Sequence, residues 1–175
     1  MKIGVVSDTH RNKSFLEEVV EWLTKRQRIA TLYHLGDDCE DVVDLSEQGI
    51  DIIQVPGIYD PKYKDGTLGH KQIDTVLGLR ILLVHFLGKD ITEDDRTVSD
   101  IILYGHTHKA ELTLEDGLLL MNPGHLKAKL DKQFKPSFGL LDIQDETVSA
   151  KIFNMEFKEI MGIDLIRAES GLYRA

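Results

Sequence analysis

Short apolar runs, each about as long as a buried strand, recur through the first two thirds of the chain. The five clearest runs cover residues 2–6, 31–35, 51–55, 80–84 and 100–104. Runs that are apolar at nearly every position predict strands covered on both faces, as in sheets that pack between other layers. Between the first three of these strands lie stretches whose apolar residues recur at helical spacing. Strands that alternate with helices predict an α/β fold.

Two helices are predicted between the early strands. The segment Ser14-Phe15-Leu16-Glu17 has the form of a capping box, in which Ser14 caps the helix and Glu17 reaches back. Apolar residues then recur at helical spacing, which predicts one face packed against a sheet. A second helix is predicted over residues 39–48, with Gly49 ending it.

The second half of the chain is richer in strands. The strands predicted there cover residues 72–76, 79–84, 110–114, 118–121, 137–143 and 147–153. Gly78 and the pair Asp116-Gly117 mark the turns of two hairpins. The last stretch, residues 155–175, has two interpretations: an edge element of a sheet or part of an oligomer interface.

Composition and charge narrow the class of protein. With 175 residues, the chain most simply forms one domain over residues 1–175. The net charge of −9 argues against nucleic acid and anionic membranes as partners. The first residues already form a core strand rather than a signal peptide, and no apolar stretch reaches the roughly 20 residues that cross a bilayer. The lone cysteine, Cys39, cannot form an internal disulfide, which favours a cytoplasmic location.

Aspartate or histidine side chains follow all five apolar runs. Asp60 follows the third run, and six candidate ligands follow the other four: Asp8, His10, Asp37, His85, His106 and His108. In open α/β sheets ligands bind beyond the carboxyl ends of strands, so these side chains are expected at one edge. Residues two apart on an extended segment point the same way, so the Asp-x-His and His-x-His pairs can each face one cavity. A carboxylate such as Asp37 can bridge two ions, and imidazoles suit manganese, iron, zinc or nickel. The pattern predicts a metal-dependent enzyme or a descendant of one.

Other polar residues have plainer interpretations. His34 lies inside a strand and is interpreted as a hydrogen-bonded core histidine. A basic stretch follows residue 124 and comprises Lys127, Lys129, Lys132 and Lys135. Two interpretations of this stretch stay open: a solvated loop, which charge runs usually are, or a rim that attracts a phosphate substrate. Lys127 is the candidate substrate-binding residue of the second interpretation.

The strand-end motifs, taken together and in order, resemble those of the calcineurin-like metallophosphoesterase superfamily, specifically its small single-domain phosphodiesterase branch. The matching motifs are Ser7-Asp8-Thr9-His10, Gly36-Asp37, Gly57 to Asp60, His85, Gly105-His106-Thr107-His108 and Asn122-Pro123-Gly124. The resemblance spans roughly residues 1–125. It implies a four-layer αββα sandwich with mixed sheets and a dinuclear metal site at the C-terminal edge of the strands.

The resemblance also implies a role for each site residue. The first ion would be held by Asp8, His10, Asp37 and His108. The second would be held by Asp37, which bridges the two ions, together with His85 and His106. Two divalent ions are therefore the expected cofactors, manganese first, with nickel, zinc or iron as alternatives. Asp60 would have a catalytic role by orienting a neighbouring group. His125 follows a turn that helps to close the site in relatives, so it is assigned to substrate binding.

The third motif departs from the family pattern. The family reads Gly-Asn-x-Asp there, often with His at x, and its Asn binds the second metal. This chain reads Gly57-Ile58-Tyr59-Asp60. Ile58 offers no donor atom, and Tyr59 stands where some relatives place an acidic histidine. The second ion is therefore expected to bind weakly and to occupy its site only in part.

Three functions are consistent with these features. The first is a phosphoesterase that hydrolyses a small phosphorylated substrate, preferably a diester, by attack of a metal-bridging hydroxide. Good leaving groups should be preferred, because no motif histidine can protonate the departing oxygen. The alternative is a binding or scaffold protein that keeps the fold with a degraded metal site, as relatives in the retromer coat do. A sensor that binds a phosphorylated ligand without hydrolysing it is a third interpretation. By base rate, a homodimer is the expected oligomer.

Overall fold

Two β-sheets stacked face to face organise the chain, and the computed structural model describes residues 1–175. The strands are β1 (Lys2–Val6), β2 (Thr31–His34), β3 (Asp51–Gln54), β4 (Lys71–Val76), β5 (Leu79–Val84), β6 (Ile101–Leu103), β7 (Ala110–Glu115), β8 (Leu118–Pro123), β9 (Ser137–Ile143), β10 (Thr147–Asn154), β11 (Glu159–Ala168) and β12 (Gly171–Arg174). The helices are α1 (Lys13–Trp22), α2 (Val43–Ser46), α3 (Pro61–Lys64), α4 (Leu87–Asp90) and α5 (Glu93–Val98).

Both sheets mix parallel and antiparallel strands. The larger sheet has the order β12-β11-β10-β9-β1-β2-β3, and the smaller has the order β4-β5-β6-β8-β7. Strands β1, β2 and β3 are parallel, as are β5, β6 and β8, while the remaining pairings are antiparallel. Each parallel set brings several carboxyl ends to one edge of its sheet.

The core consists of three apolar layers that separate four structural layers. Alternate residues of the strands, such as Ile3 and Ile81, meet between the two sheets. The opposite face of the larger sheet packs on α1 through residues such as Leu16. The outer face of the smaller sheet, which includes Leu82, packs on Leu87 of α4 and on Ile91. This arrangement confirms the predicted α/β fold with four αββα layers and two mixed sheets.

Several local predictions need correction. Asn12 caps α1 by accepting a hydrogen bond from the backbone N of Phe15 at 3.3 Å, so Ser14 lies inside the helix. The predicted helix over residues 39–48 is instead a 3-10 turn, Cys39–Val42, followed by the single turn α2. The hairpin turns form as predicted, with positive φ at Asp116 and Gly117.

The C-terminal stretch forms the predicted edge element, and its part in an oligomer interface stays a prediction. Residues 159–168 and 171–174 form β11 and β12, and β12 is the last strand of the larger sheet. None of the helices approaches the roughly 20 apolar residues that a bilayer-spanning helix needs.

Candidate metal centre

The candidate site lies where β1, β2, β5 and β6 end, and backbone hydrogen bonds join the loops that follow them. The backbone N of Asp8 donates to the carbonyl O of Gly36 at 2.9 Å, which fixes the loop after β1 to the loop after β2. The backbone N of Gly105 donates to the carbonyl O of His85 at 3.0 Å, which links the corresponding loops of the smaller sheet. The acidic and imidazole side chains are therefore carried by a connected set of loops.

Left-handed backbone turns aim most of the candidate ligands. Positive φ angles occur at five of the six: Asp8 (51°), His10 (46°), Asp37 (60°), His106 (69°) and His108 (66°). The sequence suggested that extended geometry would align each pair. These left-handed turns, rather than extended backbone, make the pairs converge. Asp and His tolerate such turns better than most residues do.

Two glycines leave room for the carboxylates. A Cβ atom on Gly57 would collide with Oδ1 of Asp37, and a Cβ atom on Gly105 would collide with the Ser7 side chain and crowd the Asp8 carboxylate. Any other residue at these two positions would displace a candidate ligand. Both glycines belong to the motifs that carry the family resemblance.

Four of the candidate ligands meet at one point. One donor atom from each of Asp8, His10, Asp37 and His108 lies within 4.8 Å of all the others. Nε2 of His108 is 3.1 Å from Oδ1 of Asp8 and 3.3 Å from Nε2 of His10. Nε2 of His10 is 3.4 Å from Oδ2 of Asp37.

These separations fit a bound divalent ion. Two ligands about 2.1 Å from one ion, at right or tetrahedral angles, lie about 3.0–3.4 Å apart. Oδ1 of Asp8 and Nε2 of His85 are also buried without any hydrogen-bond partner. Buried polar atoms nearly always have a hydrogen-bond partner, so converging ligand atoms that lack one indicate an ion. Two carboxylates with imidazoles suit manganese, zinc, iron or nickel.

His85 and His106 are arranged more loosely around Asp37. Nε2 of His85 lies 3.5 Å from Oδ1 of Asp37, and its Nδ1 lies 2.7 Å from the carbonyl O of Leu35. The His106 ring is half-buried, with its centroid 5.2 Å from that of His85 and 4.3 Å from that of Phe86. The structure thus groups four candidate ligands tightly and leaves these two at the margin.

The position that departs from the family motif is apolar in the structure as well. Ile58 is half-buried, and the side chain of Tyr59 is 73% exposed.

Electrostatics favours a cation at this edge. Burial raises the pKa of Asp37; His85 opposes this rise, and the charges of Asp8 and Asp60 add to it, giving a pKa of about 6. Burial alone would also raise the pKa of Asp8. The adjacent His108 imidazole and the charge of His85 outweigh burial and lower that pKa to about 2. A divalent ion would offset this concentration of negative charge.

Asp60 ties two loops of the site together. Its Oδ2 accepts from the backbone N of Gly57 at 2.7 Å, and its Oδ1 accepts from the backbone N of Asp38 at 3.2 Å. The Asp60 carboxylate is buried, so it fixes the position of the loop that carries Asp37. The orienting role predicted for Asp60 agrees with these contacts and stays a prediction.

The two predicted substrate-binding residues differ in exposure. His125 is fully buried behind His108, with Nε2 3.1 Å from the carbonyl O of Phe134. Lys127 is exposed, and its Nζ lies 2.9 Å from Oδ1 of Asp131. Only Lys127 is therefore placed to meet a ligand directly, and substrate binding by either residue stays a prediction.

A buried polar network behind the loop after β1 was missed by sequence reasoning. Asp41 accepts from the hydroxyl of Thr9 at 2.7 Å and from the backbone N of Arg11 at 2.8 Å. Thr9 Oγ1 also lies 3.3 Å from Nε2 of His34, whose burial lowers its pKa to about 4. His34 is thus the core histidine that was predicted. Asp41 carries no sequence signal beyond its place in a polar turn.

The chain belongs to the calcineurin-like phosphoesterase superfamily. Residues 1–146 match the sequence profile of the calcineurin-like phosphoesterase superfamily domain. This range includes all six candidate ligands, so the resemblance drawn from the strand-end motifs is confirmed, and divalent-metal binding is the property that the family and the donor cluster support.

Individual relatives come from several organisms. Phosphodiesterase MJ0936 of Methanocaldococcus jannaschii is 26% identical over 159 residues, which is 82% of this chain and 94% of that protein. YfcE, a phosphoesterase from E. coli, has the same fold with a TM-score of 0.70 at 20% identity, over 93% of this chain and 98% of that one. Vps29 of Entamoeba histolytica, solved with Zn²⁺, also has a TM-score of 0.70 at 20% identity, over 95% and 99% of the two chains.

Proposed function

We propose that this protein is a divalent-metal-dependent phosphodiesterase that acts on small phosphodiesters. The observation that carries the proposal is the convergence of Asp8, His10, Asp37 and His108 within 4.8 Å. These four residues would hold one ion, and Asp37, His85 and His106 would hold a second, with manganese as the first candidate. Bound divalent ions would lower the pKa of coordinated water and offset charge on the phosphoryl oxygens.

The side chains around the cluster orient the donors. Oδ2 of Asp8 accepts from the Ser7 hydroxyl at 2.5 Å and from the backbone N of His106 at 3.0 Å, which leaves Oδ1 free. Nδ1 of His85 donates to the carbonyl O of Leu35, so its Nε2 keeps a lone pair that faces Asp37. Such fixed donors need little rearrangement to bind an ion.

The substrate class follows from what surrounds the donors. Exposed Lys127 and Lys132 lie on the loop beside the site, where positive charge attracts an anionic ester. The position after Ile58 carries Tyr59, where some relatives have a histidine. We expect diesters with good leaving groups, such as aryl esters, to react fastest, because they depart without a strong general acid.

The decisive experiment compares aryl phosphodiesters and monoesters with the purified protein and added manganese. His108→Ala is the inactive control, since it removes a converging donor. His70→Ala is the matched control, because His70 is exposed and stacks on Tyr63 outside the cluster. Hydrolysis by wild type and His70→Ala, but not by His108→Ala, is the expected result. Turnover no greater than that of His108→Ala contradicts the proposal.

A second candidate is a protein-interaction module that retains one ion. The observation that favours it is Ile58, an apolar residue in the place of a family metal ligand, next to exposed Tyr59. Structural similarity to Vps29, a vacuolar protein sorting protein, is compatible with this candidate. Metal content separates the two functions: two ions per chain after equilibration with manganese support the enzyme, and one or none supports the module.

A further inference from the structure

Asp131, a residue outside all of the family motifs, lies against the far side of His108. Oδ2 of Asp131 is 2.5 Å from Nδ1 of His108. Neither atom forms an aligned hydrogen bond in the structure, to the other or to a third group. The His108 side chain is 3% exposed and that of Asp131 is 18% exposed. The two atoms thus lie beside each other, and neither has another hydrogen-bond partner.

The opposite nitrogen of the same ring faces the donor cluster. Nε2 of His108 lies 3.1 Å from Oδ1 of Asp8. A neutral imidazole carries its hydrogen on one nitrogen and a lone pair on the other. A carboxylate beside Nδ1 holds the hydrogen there, so the lone pair on Nε2 is directed at the cluster. Histidines that bind metals are commonly oriented in this way by a carboxylate.

The loop that carries Asp131 is itself fixed. Backbone hydrogen bonds join Asp131 and Phe134 in both directions, at 3.0 and 2.8 Å. Nζ of Lys127 contacts the other carboxylate oxygen, Oδ1 of Asp131, at 2.9 Å. Nζ of Lys132 donates to the carbonyl O of His106 at 3.0 Å, and Nδ2 of Asn12 donates to the carbonyl O of Lys127 at 3.1 Å. These contacts attach the Asp131 loop to the loop after β1 and to the loop after β6, and they hold the Asp131 carboxylate in place.

We propose that Asp131 is a positioning residue that fixes the orientation and tautomer of His108 and thereby sets the affinity of the first ion. This rests on the proposed function for the presence of an ion. Lys127 gains a second role from the same contacts, because it holds Asp131 in place. Asp131 touches no reacting atom and acts through His108.

The first test measures metal affinity rather than turnover. Asp131→Ala in the full chain should weaken binding of the first manganese equivalent by about 10- to 100-fold in calorimetry. Asp131→Asn keeps an acceptor without the charge and should recover part of this loss. Lys127→Met removes the ion pair but leaves the contact with His108, so its affinity should stay closer to wild type. Affinity of Asp131→Ala within twofold of wild type overturns the proposal.

The second test reads the tautomer of His108 directly. Nitrogen-15 NMR of the metal-free protein should find the hydrogen of neutral His108 on Nδ1 in wild type and, at least in part, on Nε2 in Asp131→Ala. A merely structural role for the loop would not move this signal. If Asp131→Ala does not fold, Asp131→Asn and wild type decide the matter, and a hydrogen on Nε2 in wild type overturns the proposal. Failure of wild type to bind any metal contradicts the proposed function instead, and the tautomer still tests the contact.

Discussion

The two halves of the candidate metal centre share Asp37 but differ in completeness. On one side, Asp37 meets Asp8, His10 and His108 within 4.8 Å. On the other, it faces His85 at 3.5 Å, with the His106 ring farther out and Ile58 in the place of an amide ligand. One strand edge thus carries a nearly complete donor set beside a depleted one.

The difference extends to the groups behind the donors. His108 is buried with Asp131 behind it, and Asp8 accepts hydrogen bonds from Ser7 and from the backbone N of His106. The His106 side chain packs on the ring of Phe86, and only the backbone of His106 takes part in hydrogen bonds. Fixed donors lose less conformational entropy on binding. We therefore expect the first ion to bind tightly and the second to bind weakly.

The largest expected effect comes from removing a donor of the complete half. His108→Ala should reduce affinity for the first manganese ion by more than about 100-fold, beyond the usual loss from removing an outer partner. His106→Ala, its counterpart in the depleted half, should leave the first ion bound. Elemental analysis and calorimetry measure both. Full metal content in His108→Ala would show that this residue is not a ligand.

Asp60 tests whether the two halves depend on a shared scaffold. Asp60→Ala removes the acceptor for the buried backbone N–H of Gly57 and the half-buried backbone N–H of Asp38, leaving both unpaired. The free energy of unfolding should fall by about 1–3 kcal/mol. Urea denaturation measures it. We also expect weaker binding of both ions, because Asp37 sits on the loop that Asp60 holds, whereas an effect on stability alone would argue against the orienting role.

Restoring the family amide sharpens the comparison from the other side. Ile58→Asn should tighten the second manganese ion by about tenfold, which corresponds to about 1.4 kcal/mol. It should also raise diester turnover at low manganese concentration. Ile58→Leu is the control, since it keeps an apolar side chain of the same volume. Identical manganese dependence in the Asn variant and wild type would show that residue 58 does not face the site.

The smallest effect is expected at a carboxylate remote from both halves. Asp95 completes the capping box of α5 and contacts Nζ of Lys71 at 2.7 Å. Asp95→Ala should lower stability by about 0.5–1 kcal/mol and leave metal content unchanged. Loss of bound manganese in this variant would show that Asp95 affects the metal site as well as the stability of the fold.

The loss of stability in Asp95→Ala should depend on pH. The hydrogen bond from Lys71 lowers the pKa of Asp95, so the folded state binds this proton less readily than the unfolded chain does. The stabilisation is therefore complete above the unfolded pKa of about 3.9 and is lost as the pH falls through the lower folded value. The difference in Tm between wild type and Asp95→Ala should narrow between pH 5 and the acid limit of folding.

Sequence patterns predicted the features that depend on neighbouring residues. The apolar runs marked the strands because burial on both faces demands apolar side chains at successive positions. The start of α1 was misplaced because Ser14 and Glu17 matched a capping pattern, while Asn12 lay two residues earlier with an equally suitable side chain. The stretch after Asp38 was expected to form one helix, but Asp41 turns inward to bind Thr9 and Arg11, and the segment divides there.

Local sequence patterns did not predict contacts between distant segments of the chain. Asp131 approaches His108 across 23 positions of sequence, through a loop whose path depends on Lys127, Phe134 and Asn12. No motif spacing signals such a contact. The left-handed turns at the ligands were equally hidden, because Asp and His adopt both extended and left-handed backbone, and residue type alone does not decide between them. The six candidate ligands themselves were found because strand ends and donor type coincide in the sequence.

The left-handed backbone at five of the six candidate ligands has a consequence for how the chain can drift. Strained positions cost of the order of 1–3 kcal/mol each, and crowded carboxylates add repulsion when no cation is bound. Random substitution at such an edge would tend to stabilise a protein that no longer used it. Position 58 shows that this edge does accept an apolar side chain. The six donors thus carry a cost in backbone strain and charge repulsion that a bound cation would offset.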